Sequence, residues 1–274
     1  PLAGAADGWI ARYDWNGNQV WLRQFGSTGE DVLYDISPAG NGGAFATGST
    51  SGAFGGPSAG LRDFWIARID DAGSFVWVRQ YGTNQSDDPL AIVPDAAGGV
   101  FVCGHIQRTS GTDWKDGWLA RFDGAGNQLW FRIINSGALD WAYDAAPDGS
   151  GGVYVCGETE GSLGVPAGFK DGWVARYDAG GNRLWVTQLG SPEAETFSAI
   201  ATTRNGTILV GGTSYGPFGG APLGIGDACV AHLDGNGHLI SAMRFGSADS
   251  DQLSELAVDA QDGIARLGEA RERH

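Results

Sequence analysis

The side chains best placed for chemistry in this sequence are carboxylates that recur at matching positions. Asp31, Asp87, Asp140, Glu195 and Asp251 each follow a short polar turn and open a short apolar run, with Glu30, Asp88 and Asp249 beside some of them. If those runs line a channel side by side, five like charges form a ring at one mouth. Such a ring raises the pKa of its members or attracts a cation, and Ca2+ is the ion its oxygen ligands would suit. The competing reading is local, each carboxylate capping its own turn by accepting backbone N–H groups. No other cofactor is expected. A second set of candidates sits in the longest connections: Phe54, Trp114, Phe169, Tyr215 and Phe218, with His105 and Glu158 at loop starts. These could contact a ligand, or the aromatics could tuck over the sheets beneath them. No catalytic triad, phosphate loop or zinc-ligand spacing is present, so no catalytic residue is assigned.

The elements that must position these groups are set by an internal repeat. The segment DGWIARYD from Asp7 returns as DFWIARID from Asp63, DGWLARFD from Asp116, DGWVARYD from Asp171 and, drifted, DACVAHLD from Asp227. The steps are 56, 53, 55 and 56 residues. Each copy runs on through an Asp/Asn/Gly turn into a second strand (VWLRQFG, VWVRQYG, LWFRIIN, LWVTQLG), an acidic turn, an apolar strand and a Gly-bounded strand such as GVFVCG or GVYVCG. That is four short strands per copy joined by tight turns, without a helical period. Four antiparallel strands repeated at this spacing predict propeller blades.

In a propeller the innermost strand of a blade is expected to be the one after the acidic turn. The chain then opens on the third strand of a blade and ends on a second strand. We therefore expect an all-β, five-bladed β-propeller in one domain spanning residues 1–274, closed by a composite blade built from both termini. The long loops, from Ser49, His105, Glu158 and Thr213, fall on the same face as the acidic turns, and the opposite face carries only tight turns. The Trp residues of the third and outer strands, present in nearly every copy, read as blade-to-blade packing. Arg12, Arg68, Arg121 and Arg176 stand two residues before a turn Asp, which predicts local ion pairs on one strand face.

Composition narrows the partners. Of 274 residues, 47 are Gly, spread along the chain as many turns require, and the net charge is −15. So acidic a surface repels phosphate backbones and anionic lipid heads, and no apolar run reaches the ~20 residues of a membrane helix. Nucleic acid and membrane insertion are therefore not expected. Cys103, Cys156 and Cys229 lie inside apolar strands and read as buried free thiols. The chain starts at Pro1 rather than at Met, which suggests a piece of a longer protein.

Taken together, the Asp-x-Trp-(Ile/Leu/Val)-Ala-Arg-x-Asp segment, the Gly-Asn turn, the Trp strand, the acidic turn and Gly-(Val/Ala)-(Tyr/Phe)-Val-(Cys/Thr)-Gly resemble the bacterial seven-bladed β-propeller (SBBP) repeat family. The resemblance runs through essentially the whole chain, with five copies in place of seven. It implies a propeller at the cell surface or secreted, and it implies no particular activity. A looser similarity links the Trp strands to quinoprotein repeats, which usually have eight blades and a cofactor cavity.

The function expected from the sequence is a non-catalytic, extracellular binding or adhesion module, monomeric, recognising a glycan or a surface protein through its loop-rich face. Two alternatives stay open. One is a glycoside hydrolase with carboxylates at the channel mouth, which requires one asymmetric acid pair about 5–10 Å apart. The other is a structural spacer in a surface protein.

Overall fold

The computed structural model describes residues 3–40, 42–108, 115–259 and 263–271. Among them the chain forms twenty β-strands and no helix. Four meandering antiparallel sheets have four strands each. The first holds β3 (Asp31–Pro38), β4 (Ala44–Thr50), β5 (Asp63–Ile69) and β6 (Phe75–Tyr81). The second holds β7 (Asp87–Pro94), β8 (Val100–Gln107), β9 (Lys115–Phe122) and β10 (Gln128–Ile134). The third holds β11 (Asp140–Pro147), β12 (Val153–Thr159), β13 (Asp171–Tyr177) and β14 (Arg183–Leu189). The fourth holds β15 (Glu195–Thr202), β16 (Ile208–Ser214), β17 (Asp227–Leu233) and β18 (Leu239–Phe245). Two further sheets have two strands each, β1 (Gly8–Tyr13) with β2 (Gln19–Phe25), and β19 (Ser250–Val258) with β20 (Ile264–Arg271). This is a propeller-like all-β architecture. The chain divides into two compact units, residues 1–131 and 132–274, with the boundary inside β10.

Among the described residues β1 pairs with β2 and β20 with β19. Trp9 of β1 is 61% exposed, while its counterparts Trp65, Trp118 and Trp173 in the four-stranded sheets are fully buried.

Each complete sheet carries a bulge in its first strand and a glycine facing it. The innermost strand carries a bulge at the same place every time, between Leu33 and Asp35, Pro89 and Ala91, Ala142 and Asp144, and Phe197 and Ala199. Opposite it stands Gly48, Gly104, Gly157 or Gly212, where a Cβ would collide with the backbone carbonyl of Val32, Asp88, Trp141 or Thr196 respectively. Only glycine admits so close an approach.

Within each unit, neighbouring sheets pack face to face. In the first unit Phe45, Ile66, Ile92, Val102, Trp118 and Phe122 form one buried cluster. In the second, Tyr154, Val174, Phe197, Ile208, Val210 and Leu233 do the same. Polar ties cross these interfaces: Asp35 accepts the Ile92 amide at 2.7 Å, and its counterpart Asp144 accepts the Ile200 amide at 2.8 Å. The thiols of Cys103, Cys156 and Cys229 are buried and unbridged.

The turns behave as their composition predicts. Asp14, Asp70, Asp123, Asp178 and Asp234 each accept the amides two and four residues on, closing the hairpin. The arginine expectation needs correcting. Arg121 pairs with Asp95 and Arg176 with Asp148, both at 2.8 Å, in the turns between the first two strands of their own sheets. Arg12 pairs with Asp71 of the neighbouring sheet. The Asp two residues on is already consumed by its own turn.

Candidate functional site

The five recurrent carboxylates are each engaged locally. Asp31 accepts the Ser27 amide and hydroxyl at 2.6 and 2.9 Å, and Asp87 accepts those of Thr83 at 2.7 and 3.0 Å. Asp140 does the same with Ser136 at 2.7 and 2.9 Å, and Asp251 with Ser247 at 2.6 and 3.0 Å. Glu195 takes the Ser191 amide and hydroxyl, both at 2.6 Å, and the Ser214 hydroxyl at 2.8 Å. Among the described residues no three His, Cys, Asp or Glu side chains come together as a metal site. Each of the five acids thus caps its own turn. Burial pushes the Asp87 carboxyl up to about 6, with the nearby Asp63 and Asp88 charges adding to the effect.

These acids also join sheets. Residues at the head of a third strand form parallel bridges to residues at the head of the first strand of the next sheet: Ala6 to Glu30, Arg62 to Ser86, Lys170 to Ala194 and Gly226 to Ser250. The long loops are fastened to the same joints. Gln80 accepts the Phe54 amide at 2.6 Å and donates to Gly52, and Gln188 accepts the Leu163 and Gly164 amides while donating to Gly161 and Asp171. Arg244 takes that place in the last copy, bonding Asp227, Ser214 and Gly216.

With the loops held, the second unit opens a cavity of ≈ 390 Å³ over its innermost strands. Tyr143 comes from β11, Thr196 and Ser198 from β15, Gln252 and Ser254 from β19, and Glu158 and Thr213 from the second strands β12 and β16. Lys170 enters because its bridge to Ala194 carries it to the head of β15. Glu158 is 8% exposed and engaged at both oxygens: Oε1 accepts the Lys170 ammonium at 3.0 Å and Oε2 the Thr196 hydroxyl at 2.6 Å. Burial, reinforced by Glu158, drives the Tyr143 hydroxyl far above the ordinary phenol range, so it stays neutral and able to donate. Tyr215 forms a rim, 43% exposed, its ring lying against Gly226. The lining thus combines two phenols, several hydroxyls, one amide and one internally neutralised ion pair.

The first unit carries a more highly charged cluster at corresponding positions. Arg62 lies 3.5 Å from Glu30 and 3.4 Å from Asp88, and His105 Nε2 lies 3.4 Å from Asp88 and 3.2 Å from Lys115 Nζ. Burial lowers the His105 pKa, partly offset by its hydrogen bond to Asp88. Burial likewise lowers that of Lys115.

No family model matches the chain. The regulatory protein FlaEY of Caulobacter vibrioides is 29% identical over 244 residues, 79% of this chain and 24% of that protein, so the chain spans about a quarter of its relative. Among solved structures, a xylan β-1,4-xylosidase from Bacillus halodurans aligns over 98% of this chain and 56% of its own, at 11% identity and a TM-score of 0.40. A eukaryotic initiation factor aligns over 86% and 60%, at 10% identity and a TM-score of 0.35.

Of the loop candidates, the structure brings Glu158 and Tyr215 to one cavity. Phe54 is half-buried and packs among Phe25, Trp65 and Phe75, with ring centroids 5.3–6.0 Å apart. Phe218 is likewise 8% exposed and packs on Phe197, because the apolar rings gain more by covering the sheet edges than by facing water. Phe169 stands 70% exposed outside the cavity lining, His105 belongs to the first-unit cluster, and Trp114 lies outside the described residues. Sequence reasoning missed Tyr143, Lys170, Thr196, Ser198, Gln252 and Ser254. Their signal was variation at a fixed place: one and three residues after the recurrent acid the chain reads Val32/Tyr34, Asp88/Leu90, Trp141/Tyr143, Thr196/Ser198 and Gln252/Ser254.

Proposed function

We propose that this chain is a non-catalytic binding or adhesion module that takes a glycan in the Tyr143–Glu158–Tyr215 cavity. The observation that carries the reading is the lining itself: phenols, hydroxyls and an amide around a concave site, with Glu158 its one carboxylate. Retaining or inverting hydrolysis needs a second acid about 5–10 Å away, and none lines this cavity. An extracytoplasmic setting, within a larger surface protein, rests on the repeat resemblance.

A glycan array probed with and without EDTA tests the reading. Binding that survives chelation is expected, because each recurrent acid is used by its own turn. Binding lost on chelation restores the calcium reading, and an array with no signal removes the glycan.

We further infer that the propeller closes at five blades, β20 adding to the free edge of β1. The support is register: Gly268 faces Leu253 as Gly48 faces Leu33, and Gly48 in turn faces Trp65, the counterpart of Trp9. Cysteines replacing Ala11 and Arg266, the counterparts of the facing pair Ala67 and Ala46, should then form an intramolecular disulfide, and disulfide-linked dimers or unreacted thiols would overturn closure.

A further inference from the structure

The chemistry of the cavity narrows the glycan beyond its class, and this step rests on the binding reading above. We infer that the Glu158 cavity selects an electrically neutral sugar unit presenting adjacent hydroxyls, over both uronic acids and amino sugars.

An ion pair occupies the cavity wall. Glu158 and Lys170 are 3.0 Å apart and only 10% and 26% exposed at their side chains, so their charges cancel in the site. A ligand carboxylate that shared Lys170 would lie beside the buried Glu158 carboxylate, with like charges facing each other. A ligand ammonium would compete with Lys170 for Glu158 at close range, with like charges facing each other. The overall charge of −15 adds a further barrier against acidic chains.

A neutral diol meets no such obstacle. With Lys170, Thr196 and the Tyr143 hydroxyl as partners, the Glu158 carboxylate keeps one acceptor site for a sugar hydroxyl, and the neighbouring hydroxyl of a diol can turn to the side chains beside it. Thr213, Gln252 and Ser254 supply groups that both donate and accept, as a ring of sugar hydroxyls requires. Ser198 is less available, since its hydroxyl donates to the Leu253 carbonyl at 2.5 Å and ties β15 to β19. The rim ring of Tyr215 offers an apolar face to the C–H side of a pyranose.

The test is calorimetric titration of the full chain with neutral xylo-, cello- and manno-oligosaccharides, oligogalacturonate, chitosan oligomers and a random peptide pool. A neutral series should bind, with affinity reduced at least tenfold in Glu158→Gln and in Lys170→Met. The Leu184→Ala variant, on the outer strand β14, should bind as the wild type does, and circular dichroism should confirm that all variants fold. If oligogalacturonate or chitosan binds as well as or better than every neutral series, the neutral-sugar inference fails while the glycan reading stands. If only peptides bind, or nothing does, the glycan reading itself fails. Neutral binding that Glu158→Gln leaves unchanged would also overturn the placement.

Discussion

The Glu158 carboxylate accepts the Thr196 hydroxyl at 2.6 Å, although 38 residues separate them and they belong to different sheets. That bond, with the Lys170 ion pair on the other oxygen, holds an acid inside the cavity wall in one orientation. Fixing an acceptor before the ligand arrives removes part of the ordering cost of binding.

Substitution of that acid should separate binding from stability. Glu158→Gln keeps the shape and an acceptor for Thr196 but breaks the pair with Lys170, whose side chain is 26% exposed and can turn to water. Ligand affinity should fall by at least tenfold, about 1.4 kcal/mol. Stability should change by less than about 1 kcal/mol, since a partly exposed pair contributes little. Calorimetry and urea unfolding measure the two separately.

Two kinds of glycine should respond differently to a methyl group. A Cβ on Gly246 would lie 2.5 Å from Asp227 Oδ1 and 2.9 Å from Asp251 Oδ2, both on buried carboxylates at a joint between sheets. Gly246→Ala should therefore destabilise by roughly 1–3 kcal/mol through overpacking. Gly206 has φ of 76°, and a Cβ there would have nothing within 4 Å, so Gly206→Ala meets backbone strain alone and should cost about 1 kcal/mol. Urea midpoints in that order check the distinction.

Acid should help one joint. The Asp87 carboxyl titrates near 6 in the folded chain against an ordinary 3.8, so the folded state holds a proton that the unfolded state has released. Its ionisation opposes folding above about pH 6, and that penalty fades as pH falls from 6 towards 4. Asp87→Asn should remove this dependence. Denaturation of wild type and variant at pH 4, 5, 6 and 7 should show the variant gaining relative stability as pH rises, and parallel curves would refute the assignment.

Cysteine reactivity gives a fourth check. Burial pushes the Cys229 thiol up to about 12, with the Glu195 charge adding to the effect, and Cys103 and Cys156 are equally buried. A thiol reagent at pH 8 should modify none of the three in the folded chain and all three in guanidinium chloride. Prompt labelling of native protein would show that the sheets open locally.

The sequence by itself determined the repeating unit. The recurrence from Asp7 to Asp227 placed the strands, the Asp and Gly residues placed the turns, and the polar turn before each acid foretold its cap, because all of these interactions span a few residues. The site was decided elsewhere. Whether Glu158 meets Thr196, or Arg176 meets Asp148 rather than Asp178, depends on the stagger between strands and sheets far apart in sequence. A repeat alignment reports what the copies share, whereas a binding site is made where they differ. Tyr143, Ser198 and Ser254 occupy one alignment column with unlike side chains, and only the packing of β11, β15 and β19 in one unit turns that variation into a cavity. The same distinction separates Phe54 from Tyr215: both are loop aromatics in sequence, but one finds an apolar sheet edge to cover and the other a polar opening to border.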